Sequence, residues 1–348
     1  MLHRFSKRLY QVLDLSSVTT RAIILEWDAS KSSCEILGIG EAATSGVSQS
    51  ELTSISDVAE SIWTAVNGAS KQSGVVLKDL TVSLDDTMLE SAKVQASSYL
   101  DGANDDFRHN HIEEARIKAL QRLKPQDKHL VYQNASGFLI DGNDYIHDPI
   151  GICGKELTVV MYLLFSKSEW FQNLRFAVER AGYGLKGLYP SGLAALFGSV
   201  GPQKRHERGI LCLSQYGAIH IVTHEYASIQ DYQSYIVTPE SQATLIKQIS
   251  LKFDESKLDF KRYPIRVTGE NAYWLIEAFE QELHLKVELV SPACESKHDI
   301  QKTYELSTAL GLATLQSEDN PLEKIVSRIR LSKENIKSRI EAFVQDYF

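Results

Sequence analysis

The sequence predicts an α/β protein of two lobes, with a small α+β subdomain inserted into the first lobe and an amphipathic helix at the C-terminal end. Three observations carry this expectation. A chain of 348 residues can bury large cores, and that length favours two lobes over one. Strand-like runs at residues 10–13, 21–26 and 34–40, a periodic helix and a further strand at 80–84 open one α/β unit; the strand, glycine turn and strand of GILCLSQYGAIHIVT at 209–223 open another. Between them, residues 138–165 hold the densest backbone punctuation and then the longest apolar run.

Each element follows from local chemistry. Ser54 with Asp57 resembles a capping box, and Val58, Ile62, Ala65, Val66 and Ala69 recur on one helical face behind it. From 85 to 137 the polar fraction rises around an amphipathic helix with Ile112, Ala115, Ala119 and Leu123 on its apolar side, which reads as an insertion. Asp141-Gly142 signals a tight turn, Pro149 pushes Asp148 into an extended conformation, and Gly151 and Gly154 permit φ values closed to side chains. Residues 157–165 then read as a strand covered on both faces, since nine residues are too few to span a membrane.

Further on, Ser166 and Glu169 form a second capping-box pattern before a helix with Leu174, Ala177, Val178 and Ala181, which Gly182 ends. A strand at 185–189 and a small-residue helix at 191–200 complete the first unit. The second continues with a helix carrying Ala243, Ile246 and Ile249, a strand at 265–268, a helix at 272–283, a strand at 286–290 and a small-residue helix at 304–315.

Composition excludes several functions. With 37 basic and 45 acidic residues the formal charge is −8, which argues against a surface built for nucleic acid. Cys34, Cys153, Cys212 and Cys294 lie far apart without paired spacing, so they read as reduced core residues of a cytosolic protein. His109, His111 and His129 cluster in the insertion without an i, i+4 pair or a Glu-x-x-His, which points to solvated histidines and no metal site. Ser191 and Ser214 lie near glycines but in no Gly-x-Ser-x-Gly elbow, and the sequence has neither a Walker lysine nor a Gly-x-Gly-x-x-Gly. No run of eighteen apolar residues occurs, so any membrane contact is expected to be peripheral.

The last segment is basic, with Lys324, Arg328, Arg330, Lys333, Lys337 and Arg339, and places Ile336, Ile340, Phe343, Val344, Tyr347 and Phe348 on one helical face. Taken alone, this pattern suits equally a strut packed on its own lobe or a helix lying in a membrane surface.

An ordered string through residues 138–165, Asp141-Gly142, then Ile146-x-Asp148-Pro149-Ile150-Gly151, then Gly154-x-x-Leu157 and an apolar strand, resembles the actin-like bacterial cell-division protein FtsA at the end of its inserted subdomain. The resemblance extends along the chain. DLSSVTTRAIILE at 14–26 is similar to the family's first phosphate loop, and the segment from Glu41 to Gly46 to its early helix. Arg180-Ala181-Gly182 and Leu193-Ala194 are similar to its connecting segments, and Glu207 and Gly209 to the approach to its second phosphate hairpin. Val267-Thr268-Gly269 resembles its adenosine motif, and residues 308–313 its last core helix. The resemblance implies an actin-like (ribonuclease H-type) fold in which ATP and Mg2+ sit between two hairpins, near Asp14, Ser16, Ser17, Gly217 and Gly269.

The departures bear on that site. Asp14 keeps one carboxylate, but Ser16 and Thr19 stand where the family has a glycine and a basic residue. Ser214 replaces the second aspartate, the following glycine loop is reduced to about Tyr216-Gly217-Ala218, and Glu270 and Asn271 follow Gly269. Bulk and negative charge at a phosphate site weaken ATP binding, so the nucleotide site is expected to be degenerate. The interval from Thr223 to Ile265 is less than half what the family carries, which puts the contact with an FtsZ-like partner in doubt.

The expected organisation is a first lobe at 1–83 and 166–208, an inserted subdomain at 84–165, a shortened second lobe at 209–315, and a linker with amphipathic helix at 316–348. By resemblance the helix binds membrane through Lys333, Ile336, Lys337, Ile340, Phe343, Val344 and Phe348, and the chain is a scaffold that tethers cell-division proteins to the cytoplasmic face of the inner membrane. Self-association into a polymer stays open, as do two other readings, a PilM-like platform for pilus assembly and an active actin-fold ATPase or sugar kinase.

Overall fold

The computed structural model of the protein describes residues 7–28, 33–48, 51–84, 86–100, 106–122, 127–143, 145–238, 241–255, 263–292, 294–296 and 302–317. The expected amphipathic helix and its membrane-facing residues, Lys333 to Phe348, lie outside these. Strands β1 (Lys7–Leu15), β2 (Thr19–Asp28) and β3 (Ser33–Ala43) form an antiparallel meander, followed by a small hairpin of β4 (Val47–Ser48) and β5 (Glu51–Leu52). Helix α1 (Ile55–Ser73) opens where Ser54 accepts the Asp57 N–H and buries the face read from the periodicity. Gly40 explains how close α1 lies to β3: a Cβ there would sit 2.0 Å from the Ala65 carbonyl oxygen. Strand β6 (Asp79–Leu84) then pairs in parallel with β1.

The insertion comprises β7 (Glu90–Tyr99), α2 (His109–Gln121), β8 (Lys128–Ile140), β9 (Tyr145–Ile146) and β10 (Glu156–Lys167). Its antiparallel sheet runs β7-β10-β8-β9, with Asp141 and Gly142 at φ 52° and 72° in the tight turn after β8. Strand β10 is covered on both faces, as its apolar run predicts. Leu157, Val159, Met161 and Leu163 enter the subdomain's own core, while Tyr162 and Leu164 enter the central core of the molecule. The outer edge of β7 is guarded by α2, from which Arg122 and Lys118 donate to the carbonyls of Gln95 and Ser97 at 2.6 and 3.3 Å.

Helix α3 (Ser168–Arg180), β11 (Gly184–Pro190), α4 (Ser191–Ser199) and the short α5 (Pro202–His206) return the chain to the first lobe. The expected capping box at Ser166 does not form, because β10 continues through Lys167, Ser166 is buried within the strand, and α3 starts without a side-chain cap. Gly182 does end α3, at φ 92°, with the Tyr183 N–H donating to the Val178 carbonyl.

The second lobe is built from β12 (Gly209–Gln215), β13 (Ala218–Glu225), β14 (Ser228–Ile236), α6 (Gln242–Glu255), β15 (Ile265–Thr268), α7 (Ala272–Leu283) and β16 (Val287–Leu289). Strand β17 (Glu295–Ser296) returns to pair with β3, and a 3-10 turn at Thr303–Leu306 leads into α8 (Ser307–Ser317). The two lobe sheets have the orders β11-β6-β1-β2-β3-β17 and β14-β13-β12-β15-β16.

The lobes meet where α4 and α8 cross. A Cβ on Gly311 would lie 1.6 Å from the Ala194 carbonyl oxygen, and one on Gly198 would lie 2.0 Å from that of Ser307, so only glycine permits this approach. The insertion also touches the second lobe. Asn134 donates to the Ile229 carbonyl at 3.2 Å, Gln230 donates to the Ser136 carbonyl at 2.9 Å, and His147 stacks on Tyr226. Among the described residues no helix is long and apolar enough to cross a membrane. Cys34 and Cys212 are buried as expected, but Cys153 is exposed in the loop before β10 and is no core residue.

Candidate functional site

The β1–β2 and β12–β13 hairpins face one another across the gap between the lobes. At the first tip the Ser16 hydroxyl is consumed by its own turn: it donates to the Thr19 carbonyl at 3.0 Å and accepts the N–H groups of Thr19 at 2.9 Å and Val18 at 3.3 Å. These are amides that a phosphate-binding loop would leave free for oxygen ligands. Asp14 is buried below the tip and accepts the Ser83 hydroxyl at 2.8 Å, while that hydroxyl accepts the Leu15 N–H.

At the second tip Gln215 pairs with Ala218 around a two-residue turn, with Gly217 at φ 88°. The tips approach each other closely, since a Cβ on Gly217 would lie 3.1 Å from the Ser17 hydroxyl oxygen. Ser214 is fully buried and turned into its own lobe, its hydroxyl donating to the Asn271 carbonyl at 3.2 Å. Gly269 serves the same contact: at φ 101°, its Cβ position would be 2.4 Å from the Ser214 carbonyl oxygen. The structure thus brings Asp14, Ser16, Ser17, Gly217 and Gly269 to one cleft, with the close approaches at Gly217 and Gly269 made to the protein itself.

Arg21, on β2, fills the space between. It pairs through Nε with Glu41 of β3, and through Nη2 with Glu270 of the second lobe at 3.1 Å. Its Nη1 donates to the Glu305 carbonyl at 2.9 Å. Burial works against the cation, but the carboxylates of Glu270, Glu41 and Asp14 outweigh it and hold the guanidinium above its ordinary range. Glu270 responds oppositely to its partner. Its burial, with Asp14 and Glu305 nearby, overcomes the attraction of Arg21 and pushes the carboxyl up to about 7. One Glu270 oxygen, Oε2, is buried with no hydrogen-bond partner.

Beneath the cleft a second cross-lobe contact is fully buried. Asp86 accepts the N–H groups of Ser191 and Gly192 at the start of α4, at 2.7 and 2.6 Å, and the hydroxyl of Tyr232 from β14. His220 lies beside them with Nδ1 3.7 Å from Asp86. Reading the sequence by motif missed Arg21, Glu305, Asp86 and Tyr232 as site residues. The available signal for Arg21 was a basic residue displaced by two positions from Thr19; Tyr232 carried none.

These residues do not fit a magnesium nucleotide. Ser214 supplies no charge for the metal, the first-tip amides are self-satisfied, and buried Glu270 presents a carboxylate where phosphates need donors.

Two lobes with facing hairpins, and a subdomain inserted between β6 and α3, make an actin-like fold. The PilM–PilN type IV pilus biogenesis complex has this fold, with a TM-score of 0.65 at 12% identity over 88% of this chain and 98% of that one. Residues 89–165 match the family model described as the SHS2 domain inserted in FtsA. Cell division protein FtsA of Enterococcus hirae is 25% identical over 174 residues, 50% of this chain and 39% of the relative. FtsA of Rhizobium meliloti (strain 1021) is 28% identical over 168 residues, 47% of this chain and 38% of the relative. The chain is thus similar to the cell-division protein FtsA over about half its own length, and it spans less than half the length of these curated relatives.

Proposed function

We propose that the chain is an FtsA-like scaffold of cell division, which gathers division proteins at the cytoplasmic face of the membrane without an enzymatic cycle. The observation that carries this reading is the inserted subdomain, which matches the FtsA type over residues 89–165. Its cleft supports a scaffold over a catalyst, because Ser214 offers no second carboxylate and Arg21 bridges the lobes. A PilM-like platform shares the fold, but at 12% identity that likeness carries shape and not task.

The test is localisation at native expression level. A fluorescent fusion should gather at the division site, and depletion should lengthen cells. A fusion that stays dispersed through division, with normal septation after depletion, would overturn the reading.

A further inference from the structure

The carboxylates around Arg21 outnumber the charge it brings. Asp14 approaches from β1, Glu41 from β3, Glu270 from the turn after β15, and Glu305 from the turn before α8, with Glu305 Oε2 3.9 Å from Nη2. The other groups facing Glu270 and Glu305 are the Tyr216 amide, which hydrogen-bonds Glu270, and Lys302, whose Nζ lies 3.2 Å from Glu305. Tyr304 and Tyr273 pack edge to face beside them. Arg21 therefore reaches into a second-lobe cup that is too acidic for a triphosphate and already holds a cation.

We propose that Arg21 is a built-in ligand of the cleft: it joins the lobes where a nucleotide would otherwise bridge them, and the surplus of carboxylate makes this closure proton-linked. The inference rests on the degenerate-site reading above and adds to it how the cleft is held and what loosens it. A buried carboxyl that takes up a proton more readily in the closed molecule than in an open, solvated one makes closure firmest in acid. Closure then weakens as the pH rises through neutrality. From the ordinary carboxylate range to pH 8.5, the closed-to-open ratio should fall by a factor on the order of 100.

Pulsed electron resonance reads this directly, with spin labels at Val76→Cys in the first lobe and Leu251→Cys in the second, both exposed, and Cys153 and Cys294 changed to serine. The distance distribution of the full chain should broaden to longer values between pH 5 and pH 8.5. Glu270→Gln, which cannot ionise, should remove that dependence and stay closed; Arg21→Ala should be open at pH 8.5. A distribution that does not move with pH, or an Arg21→Ala chain as closed as the parent at pH 8.5, overturns the proposal. A Glu270→Gln chain that still opens with pH overturns the assignment of the proton to Glu270. Mg-ATP binding is measured separately by calorimetry, so ATP binding with an intact pH response would sink the degenerate-site reading alone.

Discussion

Tyr232 of the second lobe donates its hydroxyl to the carboxylate of Asp86 in the first, at a depth where both residues are buried. Burial first, and then the Asp86 charge, hold the phenol well above its ordinary pKa, so it serves as a donor throughout the physiological range. Tyr232→Phe removes one of the donors to Asp86 and leaves the two α4 amides in place. A hydrogen bond to a charged group is worth about 1.5–3 kcal/mol, and urea denaturation should show a loss of that order. Stability within ~0.5 kcal/mol of the parent would show that the pin contributes nothing.

Calorimetric titration with Mg-ATP should give no binding at micromolar concentration, because Ser214 cannot supply the second magnesium-facing charge. A dissociation constant in the low micromolar range or tighter would refute the degenerate site.

Stability against pH should carry two opposing contributions. His224 is fully buried near Arg266 and Arg205, and burial first, then those charges, lower it to about 4. Its folded value lies below its unfolded one, so its contribution is complete above about 6.5 and is lost as the pH falls. Glu270 is raised to about 7, so its contribution is complete below the ordinary carboxylate value and is lost as the pH rises through 7. Between pH 5 and pH 6.5 the two slopes cancel in the parent. In Glu270→Gln the histidine acts alone, and stability relative to the parent should climb by about 1.4 kcal/mol per pH unit over that window. A constant difference between the two proteins would contradict the pairing.

The insertion, and not the shortened second lobe, is proposed as the main protein contact. Tyr99 and Ile117 are exposed on it, whereas Leu251 is exposed on α6 of the other lobe. Ile117→Glu with Tyr99→Ser should abolish co-purification of the division partner from native cells, and Leu251→Glu should leave it intact. The reverse outcome would move the contact to the second lobe.

The tail is proposed to lie in an anionic bilayer surface, with Ile336, Ile340, Phe343, Val344 and Phe348 inserted. Each side chain would contribute up to ~1.5–3 kcal/mol if fully buried, and each nearby basic residue about 1 kcal/mol. Glu341 and Asp346 must stay on the wet side. Sedimentation with anionic liposomes should fall with salt, with Phe343→Glu and with removal of residues after Pro321. Sedimentation unchanged by that truncation would return the segment to a strut on its own lobe.

Legibility followed burial. Helix α7 was readable to the residue because Leu275 and Phe279 face the core at helical spacing, and β10 was readable because both its faces are covered. Strands β7, β8 and β14 were not: in β7 the inward stripe is Ala92, Val94, Ala96 and Ser98, so its alternation with Lys93, Gln95 and Ser97 rests on small side chains, and β8 and β14 are half-exposed along most of their length. Ser166 misled because a capping pattern is local, whereas the pairing that extends β10 past it is not. The cleft was half legible. Its loops stand where the motifs put them, but Arg21 with Glu305 joins residues 284 apart, and no local signal records that.

The crossing of α4 and α8 limits how the molecule can move. Two helices whose backbones touch through Gly198 and Gly311 have no layer of side chains over which to slide, so shear between the lobes would drive carbonyl into Cα at once. Pivoting about the point of contact keeps the touch intact. The lobes are therefore joined as scissor blades are, with a fixed rivet, and the angle about it is the coordinate on which the Arg21 cluster and the Asp86–Tyr232 bond act.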